Sequence, residues 1–138
     1  MTKRKHKSKS GLVVVLIVAV LLVAFFTNPS QPKHNQEVKD VMTLAVKNVI
    51  DNKFRTPEEN ALTNALAIMA GGLLGDKIVD QIVDSRLVYH NYFVFSTSTI
   101  TMNGEEEHAS LGIFGKVFTA SKEDMVDILE EFSDIDND

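Results

Sequence analysis

An α+β fold is what this sequence predicts: an N-terminal transmembrane helix, two or three helices packed on a small antiparallel sheet, and a C-terminal helix. Three observations carry that expectation. An uncharged apolar run from Gly11 to Phe26 follows five basic residues. Two helical stripes of apolar residues fill the middle of the chain. The final third turns to aromatic and β-branched residues around an Asn-Gly pair. The expected division is a basic cytoplasmic head (1–10), a signal anchor (11–27), a linker (28–32), an extracytoplasmic α+β domain (33–133) and an acidic tail (134–138).

The head, MTKRKHKSKS, carries Lys3, Arg4, Lys5, Lys7 and Lys9 and no acid. A basic head before an apolar run marks a signal peptide or a signal anchor. At ~1.5 Å per helical residue the run spans roughly 25 Å, short for a bilayer, and snorkelling basic residues make up part of the deficit. Cleavage needs small residues one and three positions before the cut, and Leu22, Phe25, Phe26 and Thr27 supply no such pair around Ala24. No cysteine is present for lipid modification or disulfides. The reading is therefore an uncleaved single-pass anchor in the cytoplasmic (inner) membrane. Residues 11–27 contact lipid, the N-terminus stays in the cytoplasm and the C-terminal domain lies outside.

Asn28-Pro29-Ser30-Gln31-Pro32 reads as the exit, since two prolines in five residues stop a helix from running on. A tether from Thr27 to Pro32 reaches at most ~20 Å. Beyond it, Val38, Val41, Met42, Ala45, Val46, Val49 and Ile50 stripe a helix over 33–53. Thr56-Pro57-Glu58-Glu59 is a helix start, with Thr56 as cap and Glu59 closing a capping box. The uncharged stretch from Ala61 to Gly75 is too short for a second span, so a buried helix that frays at Gly71-Gly72 is expected. Ile78, Val79, Ile82 and Val83 resume the stripe, with Asp76, Asp80 and Asp84 opposite.

Leu87 to Met102 reads as one strand, Asn103-Gly104 as a two-residue hairpin turn, and Glu105 to Phe114 as the returning strand. That register sets Val94 opposite Ile113, Ser96 opposite Leu111 and Thr99 opposite His108. It gives the hairpin base two apolar faces, one of them rich in Phe93, Phe95 and Phe114, and a wet tip at Thr99, Thr101, Glu106 and His108. Lys116 to Thr119 forms a third strand after a bend at Gly115. Ser121 opens a helix with Met125, Ile128, Leu129 and Phe132 on one face, and the acidic tail frays.

No catalytic, cofactor-binding or metal-ligating residue is assigned, and no cofactor is implied. The glycines fail as a phosphate loop, because Asp76 stands where Gly must precede Lys77. Asp134, Asp136 and Asp138 begin like a calcium loop but lack its Gly and bidentate Glu. With one long strand, His90 and His108 fall roughly 30 Å apart and share no metal. Ser96 and Ser98 stand in no G-x-S-x-G elbow, and no histidine with an orienting acid is within view of them. From residue 27 onward nine Lys and Arg face nineteen Asp and Glu, a net of about −10, which argues against nucleic acid as partner.

Thr27-Asn28-Pro29-Ser30, the block YFVFS at Tyr92 to Ser96 and the block LGIFGKVFT at Leu111 to Thr119 resemble a family of short bacterial single-span proteins of unknown function. The resemblance implies a bacterial origin and an anchored domain, and no activity. The function expected is a non-catalytic interaction module of the envelope. Its partner is another envelope protein or a second copy in a homo-oligomer, met through the Thr-rich strand edge or the first helix. The alternative is a carrier or sensor of a small apolar ligand or lipid, held between the helices and a Phe-rich sheet face.

Overall fold

The computed structural model describes residues 9–53, 61–102 and 104–135. Four helices and four strands follow in the order α1 (Lys9–Phe26), α2 (Gln31–Lys53), α3 (Ala61–Arg86), β1 (Leu87–Asn91), β2 (Phe95–Met102), β3 (Glu105–Ile113), β4 (Lys116–Thr119) and α4 (Lys122–Ile135). The α+β class and the apolar N-terminal helix stand. The capping box at Thr56, the turn residue Asn103 and most of the basic head lie outside the described residues.

α1 is uncharged after Lys9 and, among the described residues, is the one helix long and apolar enough to cross a membrane. Its side chains point outward almost without exception; Ala24, in its last turn, is buried at 4% exposure. Thr27 ends the helix, with both its amide and its hydroxyl donating to the Val23 carbonyl at 3.0 and 2.6 Å. The expected linker of residues 28–32 is shorter than that. Ser30 already accepts the first helical bonds of α2 from Lys33 and His34, and Gln31 and Pro32 are helical. Proline in a first turn has no intrahelical partner to lose, so Pro32 starts α2 where it was expected to keep the chain open.

α3 runs unbroken through Gly71, Gly72 and Gly75, so the fraying expected at the glycine pair does not occur. Gly75 faces α2: a Cβ there would stand 2.6 Å from Val46 Cγ1. The small residue lets two helices of one domain approach closely. Lys39 of α2 reaches Asp80 (2.9 Å) and Asp84 (3.3 Å) on α3. The hydrogen bond to Asp80, more than any other contact, holds its ammonium above the ordinary lysine pKa.

The sheet is an antiparallel meander, β1-β2-β3-β4. The single strand expected over Leu87 to Met102 is two strands, folded back at Tyr92–Val94 and paired from Leu87↔Ile100 to Asn91↔Ser96. That turn holds no Gly or Pro, and Phe93 takes the left-handed conformation in their place. The Thr-rich β2 is therefore central and offers no edge. His90 and His108 now stand two strands and two residues apart, roughly 12 Å rather than 30 Å by strand spacing and rise.

Near the β2–β3 turn the register is the expected one, with Met102↔Glu105 and Thr99↔His108. A bulge at Ser98/Thr99 then shifts it by one residue, giving Ser98↔Ser110 and Ser96↔Gly112. A one-residue slip exchanges the faces of a strand. Leu111, expected beside Ser96, is turned to the open side of the sheet, and Ser110 and Gly112 are turned inward beneath the helices.

Helices cover that inner face only. Val38, Met42 and Ala45 from α2 meet Val79, Ile82 and Val83 from α3, Ile100 and Ala109 from the sheet, and Met125 and Ile128 from α4. Each valine, isoleucine and methionine among them, fully buried, contributes about 1.5–3 kcal/mol. Ile78, expected on this stripe, is exposed. So are Phe93 and Phe114, and the apolar faces expected at the hairpin base are not both covered. Thr99, expected to be wet, is buried at the bulge. α4 opens with a reciprocal cap, in which the Asp124 carboxylate accepts from the Ser121 amide and hydroxyl while Ser121 Oγ accepts from the Asp124 amide. The helix runs on to Ile135, past the start expected for the tail.

Gly115 sits in the β3–β4 turn at φ 75°, and a Cβ there would meet nothing closer than 3.7 Å. The cost of a side chain is therefore backbone strain alone. Gly115→Val is expected to destabilise the protein by about 1–3 kcal/mol in a denaturant titration.

Candidate functional site

The first turn of α2 carries His34 on the same stripe as Val38, Met42 and Ala45, so the helix that buries those residues buries the imidazole too. It is 0% exposed. Its Nδ1 lies 2.7 Å from Ser110 Oγ and its Nε2 2.8 Å from Ser96 Oγ. Ser98 Oγ bonds Ser110 Oγ in turn. Tyr89 packs its ring edge-on to the imidazole, centroids 5.3 Å apart.

Residues just before α2 complete the cluster. Ser96 Oγ donates to Asn28 Oδ1 (2.9 Å), with the Pro29 carbonyl at 3.2 Å. Tyr89 Oη donates to the same carbonyl at 2.9 Å. Asn28 Nδ2 donates to Asn91 Oδ1 at 2.9 Å and to the Phe95 carbonyl at 3.2 Å. Asn28 thus ties the end of α1 to both β1 and β2. Lys33 Nζ donates to the Gly115 carbonyl, which ties α2 to the β3–β4 turn.

Proton counting fixes the tautomer of the neutral imidazole. Ser96 has one proton, and Asn28 Oδ1 and the Pro29 carbonyl accept but cannot donate. Ser96 must therefore accept from Nε2–H. Nδ1 is left as acceptor for the Ser110 hydroxyl, and Ser110 accepts from Ser98. Every bond is satisfied by neutral His34. A second proton would make Nδ1 a donor, force the Ser110 hydroxyl to turn and donate to Ser98 instead, and bury a charge with no carboxylate bonded to the ring. Burial accordingly lowers the His34 pKa from its ordinary value.

A serine–histidine pair invites a catalytic reading. Ser96 is fully buried with its proton committed, and the second ring nitrogen is held by Ser110, where a triad requires a carboxylate. The pair binds one segment of the chain to another. Among the described residues no group of three His, Cys, Asp or Glu is placed to hold a metal ion. His90 and His108 both lie outside the cluster.

Gly112 shows how tightly the cluster is packed. A Cβ on it would stand 2.5 Å from His34 Nε2, 2.7 Å from Ser96 Oγ and 2.9 Å from Pro29 Cγ. Only a bare backbone fits. The three blocks quoted from the sequence, around Asn28, Ser96 and Gly112, therefore meet at one place, at the foot of α1. His34 had no part in the sequence reading; its signal was the helical spacing that carries the apolar stripe back from Val38 to His34.

Two outcomes follow. Gly112→Ala is expected to cost about 3 kcal/mol, the upper end for overpacking, because three sides are closed. Stability should also depend on pH. With the folded pKa below the unfolded value of about 6.5, the unfolded chain binds the proton first. The contribution of His34 is thus complete above that pH and is lost as pH falls through the window between the two values. The melting temperature of the wild type should drop from pH 7.5 toward about 5.5, and His34→Gln should be less stable at pH 7.5 but flatter across the same window. Equal slopes would show that His34 does not titrate this way. No protein-family model matches the chain, nor does any curated protein or solved structure.

Proposed function

We propose that the chain is a single-span bacterial envelope protein. Its α+β domain stands outside the cytoplasmic membrane as a non-catalytic interaction module, held in one orientation to the bilayer. The observation that carries this reading is the placement of the buried polar cluster. Asn28 docks into the sheet one residue after Thr27 ends the apolar helix, so almost no free chain separates α1 from the domain. A tethered domain that only needs to stay nearby gains nothing from such a joint. One that presents a fixed face to a neighbour in the same membrane does.

The face available is the open side of the sheet. Val88, Leu111 and Phe118 are exposed there, at 42%, 43% and 56%. α2, the other surface considered, is sandwiched against α3, α4 and the sheet. A carrier of an apolar ligand draws no support from the interior, because the space between helices and sheet is filled by Met42, Ile82, Ile100 and Met125. The basic head before the run supports a cytoplasmic N-terminus, and the resemblance to short bacterial single-span proteins supports the origin.

Topology is tested by adding protease to intact spheroplasts, where the domain should be digested; survival until lysis overturns the orientation. Function is tested with a photo-crosslinking residue in place of Phe118 in the full chain, which should capture an envelope protein or a second copy. A flexible Gly/Ser segment inserted between Thr27 and Asn28 should then lower the yield while leaving the anchor and the fold intact. An equal yield from the loosened protein would make the fixed orientation incidental and remove this reading.

A further inference from the structure

Two hairpin turns lie at the α1 end of the sheet, and each presents an exposed phenylalanine with left-handed backbone. Phe93 has φ 69° and is 72% exposed; Phe114 has φ 50° and is 48% exposed. Turns facing water use Gly, which has no Cβ to clash, or Asn and Asp, whose short polar side chains tolerate the left-handed region; a phenylalanine is strained there. A bare phenyl ring adds the cost of wetting apolar surface. Both turns are thus unfavourable twice over in water, and they are neighbours in space.

Their position is set by the polar cluster. The Phe93 amide donates to Asn91 Oδ1 at 2.8 Å, the same oxygen that accepts from Asn28. Phe93 and Phe25, from the last turn of α1, line one cleft. Next to Phe114, Gly115 lies against Thr27, whose carbonyl would be 3.7 Å from a Cβ built on that glycine. Phe25 and Phe26 are themselves exposed.

Charge points the same way. The chain is acidic overall, yet no Asp or Glu occurs in residues 11–36, 87–104 or 108–122. The sheet's carboxylates, Glu105, Glu106 and Glu107, sit at the opposite hairpin. The end of the sheet nearest α1 is aromatic and free of carboxylates, with Lys33 and Lys116 beside it. This polarity lowers the repulsion that a net charge of about −10 would otherwise exert at an anionic surface.

We propose that Phe93 and Phe114 sit in the boundary between headgroups and acyl chains of the bilayer that α1 crosses, so that the domain stands on the membrane on two turns and a helix. The occupant of this surface is a lipid interface, where aromatic side chains at the level of a helix end are stabilised. The inference rests on the reading of α1 as a span, and the test separates the two.

The protein contains no tryptophan, so a single introduced one reports its own surroundings. Full-length Leu16→Trp, Phe93→Trp, Phe114→Trp and Glu106→Trp would be reconstituted into vesicles containing lipids brominated either near the headgroup or deep in the acyl chain. The proposal expects deep quenching at residue 16, shallow quenching with a blue-shifted emission at residues 93 and 114, and no quenching at residue 106. If residue 16 is quenched while 93 and 114 emit like 106, the footing is refuted and the span stands. If residue 16 is not quenched by either lipid, the span itself falls, and this inference with it.

Discussion

The junction between the apolar helix and the domain is organised around one buried imidazole. His34 bridges Ser96 on β2 and Ser110 on β3, and Ser96 passes the contact on to Asn28 and Pro29. A buried polar group left unpaired costs about 1–3 kcal/mol, so such a network is stable only when complete. Here each member is satisfied by the others, in one geometry and with the imidazole neutral. The strands must be in the observed register, α2 must start at Gln31, and the chain leaving α1 must lie where Asn28 reaches Asn91 and the Phe95 carbonyl. A wholly apolar core would tolerate small slips among these parts. The hydrogen-bonded one does not.

The bulge in β3 shows how local geometry serves that requirement. With the register set by the β2–β3 turn alone, Leu111 would face the helices and Ser110 would face solvent. One extra residue at Ala109 exchanges them, and it brings Gly112 under His34, where no side chain has room. The apolar residue displaced by this exchange emerges on the open face beside Phe118. The same bulge therefore completes the polar cluster and makes the outer face of the sheet more apolar.

Much of this architecture was legible in the sequence, and the gaps have physical causes. The apolar run, the stripe from Val38 to Ala45, the cap at Ser121 and the start of the β2–β3 pairing follow from period, capping chemistry and turn chemistry. The turn at Tyr92–Val94 was not legible, because it uses a left-handed phenylalanine where Gly or Pro would mark a turn, and Asn91, whose side chain caps it, stands alone among aromatic strand formers. That omission merged two strands and moved His90 far from its true place. Ser96 and Ser98 enter the sequence reading through the register and as rejected nucleophiles, and Ser110 not at all, although small residues alternating on one face also mark where a bulky group approaches. His34 hid for the converse reason: a histidine next to Lys33, at the start of a helix, looks like solvent-facing polarity until its spacing from Val38 is counted.

The central claim is that the domain is fixed to the end of α1 rather than tethered to it. The chain has no cysteine, so two spin labels can be placed without ambiguity. Labels at Val18→Cys in α1 and Glu106→Cys at the far hairpin, in the full chain reconstituted in lipid, report the distribution of their separation by pulsed electron resonance. The account predicts a single narrow distribution that broadens when Asn28 is replaced by Ala. A broad distribution in the protein with Asn28 intact would contradict it.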